Sequence, residues 1–267
     1  MRNESDFVTV PIWSEDADGA ILPNPLFHRP WDKLHSRCVE YPYAAHQIRD
    51  CERILDVGTA KSDAFWQEYL CSLPLEVHAT DYDALPAGLS IPFHQCDVRA
   101  TGLPDSSFDL ILAVSVIEHI GLESPQVDHG DIPQISTEGD LDAVRELTRL
   151  LRPRGRLVMT FPFASEEKLI ADGSARCYSA SSLNRLSEII RPEKLDYYEY
   201  QHRRFPTLFD ENPEVETARP DRNTRIPEGL LPSLPGRVTW RRRPLAATRA
   251  SHNGHIDGVL CGTWLKE

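Results

Sequence analysis

Polar groups stand at the ends of four apolar runs, and their order along the chain is its main chemical signal. Arg53-Ile54-Leu55-Asp56-Val57 runs into Gly58, followed by Thr59-Ala60-Lys61-Ser62. Glu76 to Thr80 stops at Asp81, with Tyr82 next; Phe93 to Val98 carries Asp97; Phe108 to Val116 carries Ser115 and leads to Glu118 and His119. A glycine after a strand lets the backbone approach a ligand, and a carboxylate at the next strand end can accept both hydroxyls of a ribose. Asp81 follows Gly58 at roughly the 20-residue interval that such a carboxylate takes. A polar group near the third strand can mark a nucleobase. Each aspartate alone also reads as a turn or capping residue, so the information lies in the ordered set.

The first turn separates the possible nucleosides. A dinucleotide site uses G-x-G-x-x-G to aim amides and a helix N-terminus at the pyrophosphate. Here only Gly58 stands, with Ala60 in the second place and no glycine after it. Asp56, two residues before Gly58, suits a cationic group such as an amino-acid ammonium. The pattern therefore points away from NAD and towards S-adenosylmethionine, which has an ammonium and no phosphate.

These stretches resemble a class I S-adenosylmethionine-dependent methyltransferase of the methyltransferase-domain-11 type. The resemblance rests on Ile54 to Gly58, Ala79-Thr80-Asp81, Cys96-Asp97-Val98, Leu103 to Asp109, Ile117 to Ile120, and Arg145-Glu146-Leu147 through Leu157, and it spans about residues 37 to 200. Arg37 to Pro42 and Glu118 to Leu122 are similar to members from polysaccharide and natural-product pathways. The resemblance implies that Asp56 and Gly58 lie at the methionine end, that Asp81 binds the ribose, and that Asp97 and Val98 hold the adenine. Thr59, Ala60, Tyr82 and Ser115 join them as expected cofactor contacts. Two departures stand out. Ala60 replaces a common second glycine, and its methyl can be absorbed if the residue keeps negative φ. Pro153-Arg154-Gly155 replaces Pro-Gly-Gly at a surface turn.

Methyl transfer from a sulfonium needs alignment above all. A hydroxyl acceptor also needs a base within about 3 Å. His119 is the first candidate, with the bland alternative that it ties down backbone. Glu118, His129, Tyr178, His252 and His255 are weaker candidates. The fourth and fifth strands end without a set of aspartates, so no metal is expected. The acceptor is expected to be a small molecule, a sugar, sugar nucleotide or secondary-metabolite intermediate, methylated on O or N. Two other readings remain open: an RNA or protein methyltransferase, and a non-catalytic partner protein with the same fold.

The elements that must position these groups alternate strand and helix, predicting a doubly wound α/β fold with a mostly parallel seven-stranded sheet and helices on both faces. Ser62-Asp63 opens a helix with Phe65, Tyr69 and Leu73 on one face; Gly139-Asp140 opens another with Leu141, Val144, Leu147 and Leu151. Arg156 to Phe161 is the fifth strand, Ser179 to Ile190 a helix, Lys194 to Gln201 a strand, and Gly258 to Leu265 closes the sheet. The chain divides into an N-terminal arm (1–36), the cofactor-binding core (37–204), a Pro- and Arg-rich insertion expected to cap the acceptor (205–250) and the final strand (251–267). In that insertion Trp240 with Arg241 to Arg243 is read either as an acceptor contact or as a solvated basic loop.

The 267 residues, 40% hydrophobic and 26% charged, suit a folded domain with a sizeable core. A net charge of −12 counts against coating nucleic acid or an anionic membrane. The polar start lacks a signal-peptide layout, and no apolar run is long enough to span a bilayer. The six cysteines show no C-x-x-C spacing and read as free thiols in a reducing compartment. A cytoplasmic protein is expected, and a homodimer is allowed.

Overall fold

A computed structural model describes residues 12–17, 19–21, 24–27, 36–84, 88–122, 135–202, 238–248 and 258–267. The apolar runs form strands because both sides of each are covered. In β1 (Arg53–Val57), Leu55 and Val57 face one core while Ile54 faces the other, and β4 (Phe108–Val114) splits in the same way. Strands buried on both faces read as continuous apolar segments. β2 (Glu76–Asp81) and β3 (Phe93–Gln95) follow β1, β5 (Leu151–Pro162) follows β4, and β6 (Lys168–Ile170) and β7 (Ala175–Cys177) make a separate hairpin. β8 (Arg191–His202), β9 (Val238–Arg243) and β10 (Gly258–Leu265) complete the set.

The large sheet has the order β3-β2-β1-β4-β5-β10-β8-β9. β1 pairs in parallel with β2 and β4, β2 with β3, and β4 with β5, whereas β10 lies antiparallel between β5 and β8. The strand order reverses between β1 and β4, so their carboxyl ends flank the crevice where such sheets bind ligands. The seven expected strands are joined by an eighth, β9, antiparallel to β8 at the edge.

Helices α1 (Arg37–His46) and α2 (Ala64–Ser72) cover one face, α3 (Gly139–Leu150) and α4 (Ala180–Ser187) the other. Leu141, Val144 and Leu147 bury the stripe of α3 as its periodicity predicts. α1 was not foreseen, because Pro42 within it argues against a helix. The third strand is also shorter than expected: Cys96, Asp97 and Val98 already belong to the loop beyond it.

Trp240 and the arginines after it form a strand, and the burial of Trp240 corrects its reading as an acceptor contact. They lie in β9, with Trp240 only 3% exposed in the core beneath α1. Arg242 pairs with Glu15 at 3.1 Å, and Arg243 lies 3.8 Å from Glu199 of β8. The arm seals this edge: Ile21 N–H donates to the Trp240 carbonyl and Arg242 N–H to the Gly19 carbonyl. A covered edge is protected from pairing with other chains. Residues 203–237 and 249–257, with His252 and His255, and residues 123–134, with His129, lie outside the described residues.

Candidate functional site

A cavity of about 340 Å³ opens where β1, β2, β3 and β4 end. Its volume is that of a small-molecule site. Of the expected residues, Gly58, Asp81, Tyr82, Asp97, Val98, Ser115 and His119 line it. Asp56, Thr59, Ala60 and Glu118 stand behind its wall. Arg37, Tyr41, Lys61, Arg99 and Val116 also line it and were not anticipated.

The wall is built outward from Asp56. Its side chain is 1% exposed and is engaged by the Thr59 hydroxyl at 2.6 Å and the Trp66 indole N–H at 3.2 Å. Burial pushes its carboxyl up to about 7 against these hydrogen bonds. Asp56 thus fixes the turn after β1 from within. Gly58 has φ +82°, and a Cβ there would stand 2.5 Å from Val116 Cγ2. Only glycine allows the loops after β1 and β4 to meet this closely. Ala60 lies in the 3-10 turn Thr59–Lys61 and is not among the residues with positive φ, so its methyl is tolerated there. Its N–H donates to Asp81 Oδ2 at 2.9 Å.

Asp81 is the last residue of β2. Its Oδ1 accepts from the Asp83 N–H at 3.1 Å, so each oxygen has one backbone donor and keeps a second lone pair. Burial raises its pKa, and the two amides oppose that rise. Asp97 is braced by Arg99, whose Nη2 stands 2.7 Å from Oδ2, while Arg99 N–H donates to Oδ1 at 2.9 Å. Burial works against the Asp97 charge, but the Arg99 contacts prevail and hold its pKa below the ordinary value. Lys61 pairs with Asp83 at 2.6 Å across the ends of β1 and β2.

Ser115, Glu118 and His119 follow the end of β4. Ser115 takes a left-handed φ of 52° and donates its hydroxyl to Glu118 Oε1. Non-glycine residues in that region are strained and gather at functional sites. Glu118 is 1% exposed, and its Oε2 has no hydrogen-bond partner among the described residues. Burial raises its pKa, although His119 and Ser115 favour its charge. Arg37 pairs with Glu40 at 2.5 Å, and Glu40 in turn accepts from the Thr160 hydroxyl at 3.0 Å. Burial opposes the Arg37 charge, yet Glu40 keeps its pKa above the usual guanidinium value.

His119 is half exposed in the cavity, with Nδ1 2.7 Å from the Ser174 carbonyl. A carbonyl only accepts, so Nδ1 carries the hydrogen and the neutral ring leaves its Nε2 lone pair free to act as a base. Glu118 Oε1, 3.9 Å from Nε2, is too distant to occupy that lone pair but near enough to stabilise an imidazolium. Tyr178, a weaker candidate for the base, is buried and donates its hydroxyl to Asp140 at 2.9 Å. No cluster of three or more metal-ligating side chains occurs among the described residues, nor is any helix there long and apolar enough to cross a membrane.

Residues 55–159 match the family model described as "Methyltransferase domain". A search of curated proteins finds no match. Three solved structures illustrate the distant likenesses. The 1,6-didemethyltoxoflavin-N1-methyltransferase of Burkholderia thailandensis, with 1,6-didemethyltoxoflavin and S-adenosylhomocysteine bound, is 15% identical over 89% of this chain and 79% of its own, with a TM-score of 0.48. The [4+2]-cyclase SpnF is 18% identical over 85% and 79%, at 0.48. A SAM-dependent methyltransferase from Archaeoglobus fulgidus is 14% identical over 88% and 92%, at 0.49.

Proposed function

We propose that this chain is an S-adenosylmethionine-dependent methyltransferase, as the methyltransferase-domain match over residues 55–159 supports, and that it methylates a hydroxyl of a small polyhydroxylated acceptor such as a sugar or secondary-metabolite intermediate. The residues present fit the cofactor. Asp81 keeps two lone pairs that suit a ribose, Asp97 and Val98 line the cavity beyond β3 where an adenine would lie, and Arg37, paired with Glu40, brings a guanidinium to the same cavity. When bound, S-adenosylmethionine supplies an electrophilic methyl on a sulfonium centre.

The observation that carries the choice of a hydroxyl is His119. An amine acceptor need only arrive neutral, whereas a hydroxyl must lose a proton as the new bond forms. With Nδ1 engaged by the Ser174 carbonyl, Nε2 is the atom that receives it, and buried Glu118 stabilises the resulting charge. Ile120 and Leu122 add apolar lining to the same cavity. Arg242 and Arg243, two members of the basic stretch that an RNA reading would use, stand beside carboxylates at the β9 edge.

The test is methyl transfer from labelled S-adenosylmethionine to a panel of sugars, sugar nucleotides and phenolic metabolites. For any acceptor turned over, His119→Gln should lower kcat by about 10²–10⁴-fold, the usual contribution of a general base. Affinity for S-adenosylhomocysteine should stay within about threefold, because the ribose and base contacts lie at β2 and β3. An unchanged kcat would remove His119 from the chemistry and reopen an amine acceptor.

A further inference from the structure

The segment carrying His119 does not hold itself in place. It is a single 3-10 turn, Ile117–His119, leaving β4 through the left-handed Ser115. Hydrogen bonds within so short a turn cannot fix a side chain 46% exposed in a cavity. Its support comes from the β6–β7 hairpin, more than 50 residues later.

Arg176, in the middle of β7, is 5% exposed, and its guanidinium is spent on backbone carbonyls. Nη1 donates to the Ile120 carbonyl at 2.7 Å and the Glu118 carbonyl at 3.4 Å, the two residues flanking His119. Nη2 donates to the carbonyls of Thr137 at 3.1 Å and Ser136 at 3.3 Å, just before α3. Its charge is balanced by buried Asp140, 3.8 Å from Nε and fixed by the Tyr178 hydroxyl. Two residues earlier in the same strand approach, Ser174 presents the carbonyl that receives His119 Nδ1–H. The two glycines beneath this clamp also meet backbone to backbone: a Cβ on Gly121 would lie 2.3 Å from the Ser136 carbonyl oxygen, and one on Gly139 2.7 Å from Gly121 Cα.

We infer that the β6–β7 hairpin is the positioning element of His119, with Arg176 clamping its backbone from both sides and the Ser174 carbonyl selecting the tautomer that turns an unprotonated Nε2 to the cavity. Only a planar fork of five donors serves four carbonyls of two segments at once. Lysine keeps the charge but offers three donors from one point. Misplacement of a reacting group by about 1 Å can cost on the order of 10²-fold in rate. The value of this positioning to catalysis rests on the methyl-transfer reading above; the tautomer itself does not.

The experiment therefore pairs a spectroscopic readout with kinetics on the full chain. Long-range ¹H–¹⁵N spectra, with His119 assigned from H119Q, report which ring nitrogen is protonated in the neutral form. In the wild type, Nδ1 should be pyrrole-like and Nε2 pyridine-like. In Arg176→Lys, that preference should be lost and kcat should fall by about tenfold or more, while affinity for S-adenosylhomocysteine stays within about threefold. A wild type that carries the hydrogen on Nε2 overturns the inference without any variant, even if R176K does not fold. So does a folded R176K that keeps Nδ1–H and full kcat. A folded R176K that loses Nδ1–H with kcat unchanged upholds the positioning and overturns His119 as the base.

Discussion

Removing the Asp81 carboxylate tests the nucleoside seat most directly. Each of its oxygens accepts one backbone N–H, from Ala60 at 2.9 Å and from Asp83 at 3.1 Å, and keeps a second lone pair, which the proposed reading gives to a ribose hydroxyl. A charge-assisted hydrogen bond contributes about 1.5–3 kcal/mol. Loss of two would be worth roughly twice that, but part is returned, because burial already penalises the charged form. One bond's worth is the safe lower bound, so Asp81→Ala should weaken S-adenosylhomocysteine binding by at least about tenfold in calorimetry. The variant also orphans two half-buried N–H groups, costing about 1–3 kcal/mol each, so titrations belong well below its melting temperature. A pH series adds a signed check. Binding needs the carboxylate, so wild-type affinity should fall as pH drops through the raised pKa of Asp81, and Asp81→Asn should be flat there. Stability runs the other way. A carboxyl whose folded pKa is raised contributes most when protonated, and that contribution is lost as pH rises through the folded value. An Asp81→Ala protein that is folded and binds within threefold of wild type would refute the ribose assignment.

The same sign rule applies more strongly to Asp56, raised by burial from 3.8 to about 7. Relative to Asp56→Asn, the wild type should lose roughly 1.4 kcal/mol of stability per pH unit between those values and nothing further above them. Denaturant melts at pH 5, 6, 7 and 8 give the slope, and parallel curves for the two proteins would mean that Asp56 folds in ionised. Trp240→Ala should cost about 3–5 kcal/mol in unfolding free energy, as large-to-small core changes do, with S-adenosylhomocysteine affinity within about twofold. Loss of acceptor turnover without loss of stability would return Trp240 to the acceptor site.

How far the sequence could be read depends on whether a residue's partners are near it in the chain. β1, β4 and β10 were legible because each is an apolar run whose own side chains state that both faces are covered. Gly58, Asp81 and Asp97 were legible because strand ends are where such sheets put ligands. α1 was hidden by Pro42, and with it Arg37 and Tyr41, which enter the cavity from a helix that precedes the strands they serve. β9 was hidden differently. Successive arginines look solvated until Glu15 of the arm and Asp196 and Glu199 of β8 are brought beside Arg242 and Arg243. Arg176 left no signal for the same reason, since all the carbonyls it binds lie roughly 40 to 60 residues earlier.

Asp56 and Asp81 show that position within a strand decides more than residue type. Both are aspartates at the carboxyl end of a central strand, and in the sequence both read as cofactor ligands. Asp81 closes β2, so its side chain projects beyond the sheet and borders the cavity. Asp56 stands one residue before the end of β1. Strand side chains alternate, so it shares a face with Ile54, and that face lies under α2 and Trp66. The parity was available: an apolar Ile54 two positions earlier already marked the face as buried. A carboxylate placed there is committed to the protein's own donors, and its work is to hold Thr59 and the turn that delivers the Ala60 amide to Asp81. On the proposed reading, Asp56 acts on cofactor binding through Asp81. On this logic, Asp56→Asn keeps most of the affinity that Asp81→Ala loses, and calorimetry on the pair separates the two roles.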